Sequence, residues 1–314
     1  MDRVMFFARS FCLLQIFAKF ATNRVTNRVM IVVADGGATK CDWAFVEDDK
    51  MVERLKMEGI NPFSVSEEHI RKVIERDFLP VALRYDISHI WFYGAGCGFG
   101  GEIIKRVLTD FLPTTEIFVG SDIDGAAKAC CPNGEGIVCI LGTGVSSMQV
   151  ENSICTKRLP GPGYILGDEG SGTVMGRMLL SDFIYNQLPS HVHKLFTEEF
   201  DVTIPEIIDR TYHKPAANRF FSSFTPFLSR HIEEEYCRGV VRYNFEQLVK
   251  RNLSQYDTHR LTVNFVGSVA AVFEDILTEE LEKCGMKKGV IVRSPIEYLV
   301  KNITTELKIK NIQC

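Results

Sequence analysis

The sequence predicts an α/β protein made of two similar domains that face each other across a cleft. Three observations lead there. Residues 31–46 read as an apolar run, a tight glycine-rich turn and a second strand. Residues 137–150 repeat that design. Around them helical and strand patterns alternate, the order that builds sheets flanked by helices. A length of 314 residues agrees with roughly two domains.

Composition narrows the class. Hydrophobic residues make up 46% and charged residues 24%, ordinary usage for a globular chain. A net charge of −4 gives no general attraction for polyanions, so no nucleic-acid partner is expected. The ten cysteines form no CxxC pair and no regular framework. In a chain this long that predicts free thiols in a reducing, cytoplasmic compartment. Cys130 and Cys131 read as small residues near a helix end.

Residues 1–29 differ from the rest of the chain. Residues 4–21 are apolar but broken by Arg9, Gln15 and Lys19, too interrupted for a membrane span. They also lack the small-residue cleavage site of a signal peptide. Thr-Asn-Arg-Val then occurs twice in succession, at 22–25 and 26–29. We read residues 1–29 as a non-native or disordered extension, with Met30 as the native start.

From Met30 the elements follow in order. Residues 31–34 are a buried strand, Gly36 and Gly37 turn the chain, and 44–46 resume a strand. Residues 52–57 make a third strand. Residues 59–63 are a loop, because Gly59 and Asn61-Pro62 break both periodicities. Ser66 opens a helix running to about Phe78. Residues 87–92 are a strand ending in the glycine-rich stretch 94–101, and a helix is expected from Glu102 to about Phe111. That stretch resembles GxGxxG, but no acid on a following strand is placed for a ribose, so a nicotinamide enzyme is not expected. Residues 116–120 are a strand, and 126–130 a helix.

Several residues carry chemistry. Bare backbone at Gly36, Gly37 and Ala38, with Thr39 and Lys40 beside it, suits phosphate oxygens. Asp35 suits a magnesium ion held to those phosphates through water. Asp122 follows a buried strand and precedes a helix, at the end of the sheet where open α/β folds bind ligands. It reads either as a general base or as the helix N-cap, a role for which Asp124 competes. The second turn, Gly142-Thr143-Gly144-Val145-Ser146-Ser147, is rich in hydroxyls and N–H groups. Two such turns could grip a nucleotide's phosphates from both sides.

These stretches resemble the N-acetylglucosamine kinase branch of the actin-like, hexokinase-like ATPase superfamily. That group also holds the dehydratase-activating ATPases of the BadF/BadG/BcrA/BcrD type. The resemblance covers residues 30–299. Residues 35–40 look like the first phosphate motif, 141–147 like the second, and 265–271, with Gly267 and Ser268 at the turn, like the adenosine motif. Residues 59–63 look like the loop with a sugar-binding asparagine, here Asn61. Residues 163–172 look like the Gly-Asp-Glu-Gly-Ser signature of the sugar site, with Asp168 and Glu169. Asp122 falls at the position of the catalytic base. Helix capping is the plainer role for Asp168 and Glu169, and the two roles coexist. Ala38, Val145, Pro62 and Phe63 depart from the usual pattern of these motifs.

The resemblance implies two ribonuclease H-like domains around a nucleotide-binding cleft. Residues 30–122 with 294–314 would form the N-terminal domain, the last helix crossing back to it. Residues 123–293 would form the C-terminal domain, with a helical insertion at about 174–260. It implies transfer of the γ-phosphoryl group of Mg-ATP to the 6-hydroxyl of an amino sugar, N-acetylglucosamine first, by a protein compatible with a homodimer. Two other functions stay open. One is a dehydratase-activating ATPase, which requires an iron–sulfur cluster held by thiolates at a dimer interface. No cysteine pair has cluster spacing, and Cys97 is the cysteine expected at the surface. The other is a non-catalytic sugar or nucleotide sensor.

The remaining pattern is helical at 174–188, 191–200, 204–211 and 218–227. One long helix is expected at 228–251, with acids early and bases late. Strand 261–266, helix 269–283, strand 290–293 and a helix opened by Pro295 complete the chain.

Overall fold

The computed structural model describes residues 30–37 and 39–312. The readings placed on residues 1–29 and on Ala38 lie outside them.

Two five-stranded sheets share one plan. The first has the order β3-β2-β1-β4-β5, from β1 (Met30–Gly36), β2 (Lys40–Glu47), β3 (Lys50–Glu58), β4 (Ile87–Gly94) and β5 (Glu116–Ser121). The second has the order β8-β7-β6-β9-β10, from β6 (Gly136–Leu141), β7 (Val145–Glu151), β8 (Ile154–Arg158), β9 (Val263–Val266) and β10 (Lys288–Val292). In each, three strands form an antiparallel meander and the last two run parallel to the first. The chain is thus a duplicated ribonuclease H-like α/β unit.

The sequence reading finds nine of these strands and misses β8. Its five residues are all exposed, so no apolar alternation marks it. The turn before it does leave a trace. Asn152 and Ser153 have φ of 52° and 63°, matching Asp48 and Asp49 (48° and 64°) at the same place in the first unit. Asn and Asp tolerate this left-handed turn, which suits the twist of a two-residue hairpin.

The helices between β3 and β6 are α1 (Glu67–Val73), continuing as a π-helical stretch to α2 (Leu79–Ala82), then α3 (Cys97–Phe111) and α4 (Asp122–Cys130). Two begin earlier than expected. Helix α3 starts at Cys97, not Glu102, because its glycines meet bulky neighbours: Gly100 faces Pro62 and Gly101 faces Val119. Helix α4 starts at Asp122, not Ala126. Its N-cap is Ser121, whose hydroxyl accepts from the Asp124 N–H, while Asp124 accepts from the Ser121 N–H at 3.0 Å. This capping box removes both Asp122 and Asp124 from the N-cap position.

Between β8 and β9 lie α5 (Gly172–Ile184), α6 (Ser190–Glu199), α7 (Ile204–Tyr212), α8 (Ala217–Ser222), α9 (Thr225–Arg230) and α10 (Glu235–Arg251). The expected helix 228–251 is broken before Glu235. Arg230 and His231 both bind Glu199 of α6, which anchors the intervening turn. The expected helix 269–283 is likewise two, α11 (Ser268–Val272) and α12 (Glu274–Lys283), parted at buried Phe273. The chain ends in α13 (Ile296–Ile312).

Helices α4 and α13 lie between the two units. Ile31 and Val46 of the first sheet share one buried cluster with Ile123 of α4, Val138 of the second sheet, and Leu299 and Ile303 of α13. Each such aliphatic contributes about 1.5–3 kcal/mol by burial. The Lys128–Glu306 ion pair (2.6 Å) also ties α4 to α13, but half-exposed pairs contribute about 0–1 kcal/mol. Apolar contact therefore holds the terminal helix in place.

Candidate active site

Asp35 is the only partly exposed residue of β1. Across the hairpin its register partner is Asp42, a buried acid. The two differ in what they meet. Arg54 grips Asp42 with two hydrogen bonds, 2.9 and 2.6 Å. Asp35 has only the more distant charge of Lys40 to offset burial, Asp42 and Asp122. Burial, followed by those two acids, pushes its carboxyl up to about 7. In the turn itself, the Gly37 N–H closes onto the Lys40 carbonyl at 2.8 Å. Gly37 therefore shapes the turn, and the exposed Thr39 and Lys40 side chains remain at its rim.

Asp122 is the first residue of α4, at the carboxyl end of β5. Its Oδ1 accepts from the Ile123 N–H at 2.9 Å, and among the described residues no cation pairs with it directly. Burial raises its pKa, opposed by that N–H and by the charge of Arg158. Cys97 comes to the same place from α3. Burial and then the Asp122 charge push its thiol up to about 12. Cys97 is buried rather than exposed, which corrects the expectation; among the described cysteines the exposed ones are Cys155 and Cys284.

Asn61 is held by its own loop. Its Oδ1 accepts from the Phe63 N–H at 2.9 Å and its carbonyl from the N–H groups of Ser64 and Val65. The side chain lies over Gly96, where an added Cβ would stand 2.9 Å from Asn61 Cγ. Within the glycine stretch 94–101 it is Gly96 that makes room for Asn61.

On the other unit, Asp168 takes a left-handed φ of 64°. Its Oδ2 faces Gly144, where a Cβ would lie 3.1 Å away. Burial raises its pKa to about 6, opposed by the Val145 N–H and assisted by Glu169. Glu169 is engaged by Arg251. Neither acid caps α5. Ser171 does, its hydroxyl accepting from the Val174 N–H at 3.2 Å.

The second turn is braced from α5. The Gly172 N–H donates to the Gly142 carbonyl at 2.9 Å, and Thr173 donates through N–H and hydroxyl to the Thr143 carbonyl. Val145, Ser146 and Ser147 already belong to β7, and Ser147 is buried against Asn252 and Tyr256. The third turn packs on this strand end. Gly267 has φ of 124°, and a Cβ there would lie 2.8 Å from the Leu141 carbonyl carbon. Between the two turns opens a cavity of about 350 Å³, lined by Gly142, Thr143, Thr225, Ser268, Val272 and Arg293 among others. Thr225 and Arg293 escape a sequence reading, because neither lies in a motif.

Among the described residues no three His, Cys, Asp or Glu side chains converge as metal ligands. Asp35 alone suits a magnesium ion that keeps its waters and takes its remaining ligands from phosphates. The surplus of negative charge around Asp35 is what such an ion would offset. Among the described residues no helix is long and apolar enough to cross a membrane.

No family model matches the sequence, and no curated protein matches it significantly. Solved structures do. A protein of Porphyromonas gingivalis assigned as an N-acetylglucosamine kinase is 34% identical, with a TM-score of 0.84 over 87% of this chain and 98% of its own. A second protein so assigned, from Chromobacterium violaceum, shares the fold at 13% identity and a TM-score of 0.65, over 87% and 98% of the two chains. The ethanolamine utilization protein EutJ of Carboxydothermus hydrogenoformans shares it at 16% identity and 0.51, over 89% of each chain. Two duplicated units, two glycine-rich turns and a third turn at Gly267, all at strand ends, and 34% identity along nearly all of the first relative place this chain in the N-acetylglucosamine kinase-like family of the actin-like ATPase superfamily.

Proposed function

We propose that the chain is an ATP-dependent sugar kinase that phosphorylates the 6-hydroxyl of N-acetylglucosamine. The observation that carries this reading is Asp122. It is a partly buried carboxylate at the end of a strand, without an ion-pair partner among the described residues and with a raised pKa. Those are the properties of a general base, which works best with a pKa nearer the operating pH.

In this reading Gly36, Gly37, Ala38, Thr39, Lys40, Gly142, Thr143 and Gly144 hold the phosphates. Gly267 and Ser268 border the adenosine. Asp35 holds Mg²⁺ through water, and the ion when bound neutralises phosphate charge. Asn61, Asp168 and Glu169 orient the sugar, and Asp122 takes the proton of the 6-hydroxyl as its oxygen attacks the γ-phosphorus and ADP departs. Positioning and backbone donors supply the larger share of the acceleration. The domain division at residue 122, with residues 294–314 returned to the first domain, belongs to this proposal. So does a cytoplasmic location, supported by eight free cysteines among the described residues. The test is to incubate the protein with Mg-ATP and N-acetylglucosamine and identify the product by mass and phosphorus NMR. A monophosphate coupled to C6 is expected, and an unmodified sugar overturns the reading.

A further inference from the structure

We propose that Arg158 supplies the cation that meets the transferred phosphoryl group on its acceptor side, an assignment that rests on the kinase reading above. Its placement follows from strand register. Arg158 is paired with Met148 across β7 and β8, and Lys157 with Gln149. Register partners in an antiparallel pair point to the same face, and neighbours along a strand to opposite faces. Met148 is buried in the cluster that contains Ile123 and Ala126 of α4. Lys157 lies on the other face, where its ammonium donates to the Gln255 carbonyl. Arg158 therefore leaves the sheet on the side of α4, whose first residue is Asp122. Strand β7 departs from the Gly142–Gly144 turn and β8 runs back toward it, so Arg158, the last residue of β8 and opposite Met148 at the middle of β7, is the β8 residue nearest the site.

The backbone there is fixed. The Leu159 N–H donates to Tyr256 Oη at 3.3 Å, and that hydroxyl is bonded to buried Ser147 at 2.9 Å. The guanidinium, by contrast, is exposed and has no carboxylate within ion-pairing distance among the described residues. A strand-anchored arginine without a counterion is prepared for an anion that arrives from solution.

The charge balance identifies that anion. Asp122 is faced by Asp35 from β1, by Asp124 on its own helix and by the Cys97 thiol from α3. Lys40 acts on Asp35, and Arg158 is the cation that acts on Asp122. A triphosphate brought to this edge adds more negative charge. During transfer the acceptor oxygen–phosphorus bond forms, the bond from phosphorus to the ADP oxygen breaks, and the hydroxyl proton passes to Asp122. Charge is then spread over the phosphoryl oxygens beside Asp122, where Arg158 can donate to them.

The test uses the full chain with Arg158→Ala and Arg158→Lys. Steady-state kinetics are measured for ATP and N-acetylglucosamine. Affinities are measured for MgADP and for MgADP–aluminium fluoride, which mimics the phosphoryl group in flight. In Arg158→Ala we expect kcat to fall about 10²–10³-fold, with both KM values little changed. Affinity for the fluoride complex should fall by a similar factor while that for MgADP stays, and Arg158→Lys should recover part of both. Unchanged melting temperatures in both variants exclude misfolding. An unchanged kcat overturns the proposal. So does a raised sugar KM with intact kcat, which would make Arg158 a reader of an acidic sugar substituent. If the unsubstituted protein releases ADP regardless of any sugar, the kinase reading alone fails, and the Arg158 assignment still requires both losses. A protein without turnover that binds the fluoride complex equally with and without Arg158 overturns the assignment.

Discussion

Asn61 and Gly96 occupy one small volume. A Cβ on Gly96 would stand 2.9 Å from Asn61 Cγ, and Gly96 itself has φ of 78°, where side chains are strained. The glycine therefore sets the position of the asparagine. Gly96→Ala should displace Asn61 and raise the KM for N-acetylglucosamine about tenfold or more, since buried polar recognition is lost steeply. The KM for ATP should hold. Steady-state kinetics with each substrate varied check this, and an unchanged sugar KM removes Asn61 from sugar binding.

Asp122→Asn keeps the shape and the hydrogen bond from the Ile123 N–H but loses the basic oxygen. Turnover should fall roughly 10²–10⁴-fold. Binding of N-acetylglucosamine, measured by calorimetry, should persist. Near-normal kcat would remove Asp122 from the base role.

Gly267→Ala tests the third turn. Its φ of 124° and the nearness of the Leu141 backbone leave no room for a methyl group. The strain should cost about 1–3 kcal/mol of stability. Because the turn borders the 350 Å³ cavity, ATP affinity should drop while sugar affinity stays. Calorimetry with each ligand distinguishes the two.

These turns show how much is legible in the sequence. Both hairpins, the strand order after each and the glycine-rich turns carry strong local signals: apolar runs, clustered glycines and abrupt changes of period. Strand β8 carries none, because an exposed edge strand needs no apolar alternation, and Arg158 escapes notice with it. The start of helix α3 reads as a loop because its glycines oppose helical propensity, an opposition overridden by close packing on Pro62 and Val119. Asp122 reads as a possible N-cap until Ser121 is seen to fill that role. The ion pair of Arg54 with Asp42 crosses neighbouring strands β2 and β3, and that of Arg251 with Glu169 joins distant parts of the chain; neither leaves a trace in spacing.

Stability should depend on pH through the cleft acids. Asp35 and Asp168 have folded-state values near 7 and near 6, above the ordinary 3.8. The folded state thus holds these protons more tightly than the unfolded chain. Stability is then full below the ordinary value and declines as pH rises through the folded ones. Without ligands, the melting temperature should fall between about pH 4 and pH 7. Asp35→Asn should remove much of that slope and raise the melting temperature at the alkaline end. A flat profile in the unsubstituted protein would show that Asp35 ionises freely.

If the chain is a sugar kinase, turnover of ATP waits for an amino sugar. Coupled ADP release from Mg-ATP, with and without N-acetylglucosamine and beside a panel of other sugars, tests this most directly. Release should depend on N-acetylglucosamine and saturate with it. Release that proceeds equally in the absence of any sugar would contradict the kinase assignment.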